Sequence, residues 1–109
     1  MRSLSLIAAT LLGVLVGSRA NDDASVAIRT FQFAPDTLRM KAGTRVVWSN
    51  ADEIGHTITS GSPEKRDGRF HGVVATRRAT YSAVLERAGT YRYFCDRHRF
   101  MTGTVIVTR

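Results

Sequence analysis

Apolar residues recur at every second position through most of the chain beyond residue 25. Val26 and Ile28 alternate with Ala27 and Arg29, and Thr30 extends the same phase. Leu38 and Met40 alternate with Arg39 and Lys41 before Gly43, and Val46 and Trp48 with Arg45, Val47 and Ser49. A period of two sends successive side chains to opposite faces of an extended strand, so each run predicts a strand with one buried face. Trp48 lies in phase with Val46 and reads as a core residue rather than an exposed stacking platform. Phe31-Gln-Phe-Ala-Pro-Asp reads as a strand end running into a turn at Pro35, and 50–55 as a loop returning to strand over 56–60. Residues 61–72 are polar, with Gly, Pro and five charged side chains, and read as a surface loop. Further strands are predicted at 73–75, 80–85, 90–95 and 104–108. No stretch carries a helical period and none repeats. Seven or eight short strands between turn signals predict an all-β chain folded as a β-sandwich.

The first residues follow a different pattern. Arg2 precedes an apolar run over 4–16, and Ser18-Arg-Ala20 places small residues where a signal peptidase reads them. At ~1.5 Å per residue the run falls well short of a ~30 Å hydrocarbon core, so it reads as an export signal rather than an anchor. Cleavage after Ala20 is expected, giving a signal peptide at 1–20 and one domain at 21–109 with no membrane span. That length has room for a single core.

Export sharpens the meaning of the cysteine count. With only one Cys, no disulfide can form within the chain, so Cys95 is a buried hydrophobe, an intermolecular link or a ligand. Its surroundings favour the ligand. In Gly89-Thr-Tyr-Arg-Tyr-Phe-Cys-Asp-Arg-His-Arg-Phe-Met101, His98 and Met101 follow Cys95 at equal steps of three. Thiolate and thioether together favour copper over harder cations. A second imidazole is available at His56, in Asp-Glu-Ile-Gly-His-Thr-Ile-Thr-Ser. Two His, one Cys and a weakly held Met describe a blue-copper electron-transfer site. Along the strand Tyr91, Tyr93 and Cys95 share one face, read as inward, which shields the thiolate from water. His71 falls in the charged 61–72 stretch and reads as a bystander.

Cys-x2-His-x2-Met after Gly-Thr-Tyr-x-Tyr-x-Cys, with the upstream Val-x-Trp-x-Asn-x-Asp and His-Thr, resembles the cupredoxins of the plastocyanin and amicyanin type. The two residues between His98 and Met101 resemble the short ligand loop of amicyanin. The resemblance covers about residues 31–107. It implies a Greek-key sandwich and one type-1 copper held by His56, Cys95, His98 and Met101, with Met101 axial and His98 the solvent-facing edge for electrons. Two departures stand out. Related loops carry prolines beside the second His, where this chain has Asp96-Arg97-His98-Arg99; and Thr57 follows the first His where relatives have Asn, its hydroxyl able to take over part of that role.

The net charge of +7, lowered by two when Arg2 and Arg19 leave with the signal, raises nucleic acid as a partner. Export and the scatter of the charges argue against it, and a redox protein with an acidic docking face fits better. The expected protein is a periplasmic or secreted, monomeric carrier of single electrons, not an enzyme, since no open metal position or second copper set is evident. Copper delivery on the same fold is the alternative. A closed zinc site from Cys95, His56, His98 and His71 would leave Met101 at its motif position without a purpose.

Overall fold

A computed structural model describes residues 22–109; the expected signal peptide lies outside them. The described residues form nine strands in two sheets and no helix. They are β1 (Ala24–Arg29), β2 (Gln32–Ala34), β3 (Thr37–Lys41), β4 (Arg45–Asn50), β5 (His56–Ser62), β6 (Lys65–Val74), β7 (Thr80–Val84), β8 (Gly89–Phe94) and β9 (Thr102–Thr108). One sheet runs β2-β1-β4-β7 and the other β3-β9-β8-β5-β6. Repeated crossings between them give the expected Greek-key sandwich, with one strand more than the upper expectation of eight.

The alternating runs do what their period requires. Val26, Ile28, Val46 and Trp48 are buried, and Val26 stands opposite Trp48 in the parallel β1–β4 pair. Trp48 ties the sheets together: its ring lies 5.6 Å from Tyr81 in its own sheet, and 5.6 Å from Phe70 and 5.4 Å from Tyr93 in the other. Truncating such a ring in a core costs about 3–5 kcal/mol. Tyr81 in turn presses on bare backbone, since a Cβ on Gly72 would sit 2.2 Å from the tyrosine ring.

Two expectations are corrected. The extra strand comes from dividing the first run: β1 ends at Arg29, Thr30 and Phe31 turn, and β2 folds back with Arg29 opposite Gln32. Residues 61–72 are not a surface loop; β5 continues to Ser62 and β6 occupies Lys65–Val74 as its antiparallel partner. The charged half, Lys65–Arg69, is exposed on both faces and so shows no alternation, while the inward set Phe70, Gly72 and Val74 is broken by a glycine. The register slips between Thr59 and Gly61, whose φ is +107°. The amides of Arg69 and Phe70 there donate to Ser60 Oγ, each at 2.9 Å. This hairpin reaches the loop after Cys95, where Arg66 pairs with Asp96 and Arg99 donates to the Pro63 carbonyl.

Candidate metal centre

β8 delivers the thiol. Tyr91, Tyr93 and Cys95 are all buried, as their shared phase predicts, and Cys95 is wholly enclosed. Past Phe94 the chain closes a tight loop, with the Cys95 amide donating to the Met101 carbonyl at 3.0 Å and the Met101 amide to the His98 carbonyl at 2.9 Å. The steps of three thereby become a curl that turns His98 back on Cys95, Nδ1 lying 3.7 Å from Sγ. From the first position of β5, His56 brings its own Nδ1 to 3.8 Å from the same sulfur. Met101 is buried at the far end of the loop.

The sulfur–nitrogen spacings fit a metal shared by Cys95 and the two imidazoles. With metal bonds of ~2.3 Å to sulfur and ~2.0–2.1 Å to nitrogen, opened to about 120°, sulfur and nitrogen stand ~3.8 Å apart. The two observed separations agree, and the three ligand atoms all lie within 4.8 Å of one another. Partial burial first, then His56 and Arg97, push the His98 pKa below the ordinary imidazole value, so its ring is neutral and able to bind a metal at neutral pH. The sulfur accepts one backbone bond, from Thr57 N at 3.3 Å. Thr57 Oγ1 accepts from the Asp96 amide at 2.7 Å, so the threonine joins the two ligand segments as anticipated.

Asp52 ends the Val-x-Trp-x-Asn-x-Asp motif, which by itself assigns it no role at the site. Its carboxylate accepts from the Thr30 amide at 2.7 Å and the Phe31 amide at 3.0 Å, and meets His56 Nε2 at 2.9 Å. Because a carboxylate only accepts, His56 carries its proton on Nε2 and leaves Nδ1 free toward the sulfur. Burial raises the Asp52 pKa, but the bonds from Phe31, His56 and Thr30 outweigh it and hold the carboxyl below its ordinary value. The loop carrying Asp52 is itself pinned by Asn50, whose Nδ2 donates to the carbonyls of Ile54, Val74 and Thr76.

The turn held by Asp52 is unusual. Thr30 and Phe31 have φ of +52° and +58°, a conformation that two-residue hairpins normally give to Asn and Gly. A β-branched and an aromatic residue held there cost on the order of 1–3 kcal/mol each, offset by the charged acceptor on both amides. The return is the position of Phe31, whose ring meets His98 edge-on at 4.8 Å and His56 at 5.3 Å, with Phe100 stacked against it at 6.5 Å. No periodicity marks such a turn; the only cue was an acidic residue four positions before a histidine.

Asp52→Ala is therefore expected to lower copper affinity about 10- to 100-fold, as loss of a ligand's hydrogen-bond partner does. It should also destabilise the apoprotein by about 2–3 kcal/mol, the worth of charged hydrogen bonds partly replaced by water. Since the folded pKa lies below the unfolded one, this stability is present at neutral pH and lost as pH falls through the folded value. Competition with a chelator and urea unfolding measure both, and wild-type values in the variant would remove Asp52 from the site.

A family model described as copper binding proteins, plastocyanin/azurin family, matches residues 20–108. The chain is 33% identical over 82 residues to amicyanin-alpha from Methylorubrum extorquens, covering 75% of this chain and 69% of that one. It is 31% identical over 86 residues to amicyanin from Paracoccus versutus, covering 79% of this chain but 65% of the relative, just under two thirds of its length. The fold superposes with a TM-score of 0.72 on a purple cupredoxin from Nitrosopumilus maritimus, at 27% identity, covering 79% of this chain and all of that one.

Proposed function

The chain belongs to the plastocyanin/azurin family of copper-binding proteins, and on that premise we propose that it is a one-electron carrier with a single type-1 copper. The observation that carries the reading is the buried Cys95 thiol with imidazole nitrogens 3.7 and 3.8 Å away on either side. His56, Cys95 and His98 would supply the three strong donors, and Met101 a weaker thioether donor. Copper bound there would supply a centre that alternates between Cu(I) and Cu(II).

The chain's own residues make that exchange inexpensive. The Asp52 bond fixes the His56 ring, the Thr57 amide holds the sulfur, and the closed backbone of 95–101 fixes the spacing of His98 and Met101. None of these needs to move when one electron is gained or lost. Burial of Cys95 keeps water and oxidants from the thiolate. His98, half-buried beneath Phe31 and Phe100, is the edge through which electrons would pass.

Export rests on the reading of residues 1–20 as a signal peptide; the proposed domain at 21–109 would then work in the periplasm or outside the cell, and it is proposed to do so as a monomer. The proposed partner is a redox protein with an acidic docking face. Arg97 and Arg99 flank His98 and are exposed, and Phe100, 72% exposed, supplies an apolar centre to the same surface.

Copper titration of residues 21–109 tests the function. One equivalent is expected to give an intense visible band that bleaches on reduction and returns on oxidation over repeated cycles. A weakly coloured site that hands its copper rapidly to an acceptor would replace the carrier reading with copper delivery.

A further inference from the structure

His71 does not stand apart from the site. On β6 it faces Thr59 across the β5–β6 ladder, and its Nδ1 lies 2.9 Å from Thr59 Oγ1. Thr59 Oγ1 is 3.0 Å from Thr57 Oγ1, which accepts from the Asp96 amide at 2.7 Å. The Asp96 end of the row is fixed, because an amide can only donate and Thr57 therefore accepts from it. In the arrangement with Nδ1 of His71 bare, Thr57 gives its own proton to Thr59 and Thr59 gives its proton to Nδ1. Both threonines are buried, at 6% and 3% exposure, so water is poorly placed to replace either hydroxyl, whereas His71 itself is exposed at the outer end of the row.

The loop that this row ends on has few other anchors. Neither of the two prolines, Pro35 and Pro63, falls within it. Its side-chain ties to the hairpin, Arg66 with Asp96 and Arg99 with the Pro63 carbonyl, are exposed, and pairs of that kind contribute only ~0–1 kcal/mol. The bond from the Asp96 amide into the buried hydroxyl row is different: it fixes the residue directly after Cys95. Thr57 also donates its own amide to the Cys95 sulfur, so any shift of Thr57 changes the bond to the thiolate as well.

We propose that His71, acting through Thr59 and Thr57, is a positioning residue for the copper site, its Nδ1 acceptor holding the start of the ligand loop and the Thr57 amide in place against Cys95. The proposal rests on the type-1 copper reading for its consequence, though the hydrogen-bonded row itself can be tested without metal.

Three variants separate the possibilities. His71→Ala removes the acceptor, Thr59→Val removes the hydroxyl at nearly constant shape, and His71→Asn places an amide oxygen close to where Nδ1 stood. In the apoprotein, hydrogen exchange at the Asp96 amide, followed by NMR, should quicken at least about fivefold in His71→Ala and Thr59→Val. It should return toward the wild-type rate in His71→Asn. In the copper-loaded protein, the visible band and the reduction potential should move in the first two variants and recover in the third. Wild-type exchange and spectra in both disrupting variants would overturn the proposal. So would an Asn variant that restores neither, because the acceptor would then not be what matters. Should His71→Ala fail to fold, Thr59→Val still decides. A wild-type protein that binds no copper would defeat the function proposed above, while the Asp96 exchange rates would still judge the row.

Discussion

Replacing Cys95 by Ser is expected to abolish the visible colour of the copper-loaded protein while leaving the sandwich folded. The intense band of such a site arises from charge transfer between a thiolate and Cu(II), and this chain has no second thiol to take over. A serine hydroxyl is a harder donor and stays protonated at neutral pH, so the soft character that selects copper goes with the sulfur. The fold should survive, because the side chains are close in size and the serine oxygen can also accept the Thr57 amide that meets the sulfur at 3.3 Å. A stability cost of about 1–2 kcal/mol is expected for a hydroxyl in a fully buried apolar position. Absorption spectra during Cu(II) titration, with urea unfolding alongside, measure both effects. An undiminished band in the variant would end the reading of Cys95 as the copper ligand that generates the colour.

The ligands were legible because their chemistry is rare and their spacing short. A single cysteine with His98 and Met101 at steps of three needs no three-dimensional argument to look like a soft-metal site. The strands were legible wherever one face is buried and the other wet, as in β1, β3 and β4. β6 was not, since its charged half meets water on both faces and Gly72 occupies an inward position where an apolar residue would have kept the period. The Thr30–Phe31 turn was equally hidden. Its backbone demands residues that the sequence does not supply, and it is held by Asp52, more than twenty positions away. Asp52 and His71 share that character. Asp52 leaves only an acidic residue four positions before His56, and its hold on the Thr30 and Phe31 amides, like the contact of His71 with Thr59, reaches too far along the chain to leave a local pattern. The missing loop prolines show the opposite case, an absence visible in sequence whose replacement, the row from Asp96 to His71 and the ties to the β5–β6 hairpin, exists only in space.

Reversing the charges of Arg97 and Arg99 to Glu is expected to slow electron exchange with an acidic partner by about tenfold or more at low salt, within the ~10–10³ range over which charge steers association. Both side chains are exposed on either side of His98, and their charges persist although Arg99 also donates to the Pro63 carbonyl. Their effect belongs to the encounter rather than to the strength of the final contact. With a Debye length of ~10 Å at 0.1 M salt, the wild-type rate must fall as salt rises, whereas the variant's dependence should flatten. The copper spectrum should stay nearly unchanged, because neither arginine bonds to a ligand atom. Arg99→Gln separates the two roles of that residue: a neutral amide can still donate to Pro63, so a rate loss there reports lost charge rather than a loosened loop. Stopped-flow measurements across a salt series provide the comparison. If the double variant matches wild type at low salt against acidic redox proteins, the docking surface is the apolar patch of Phe31 and Phe100 alone, and the two arginines are solvated loop residues with no part in recognition.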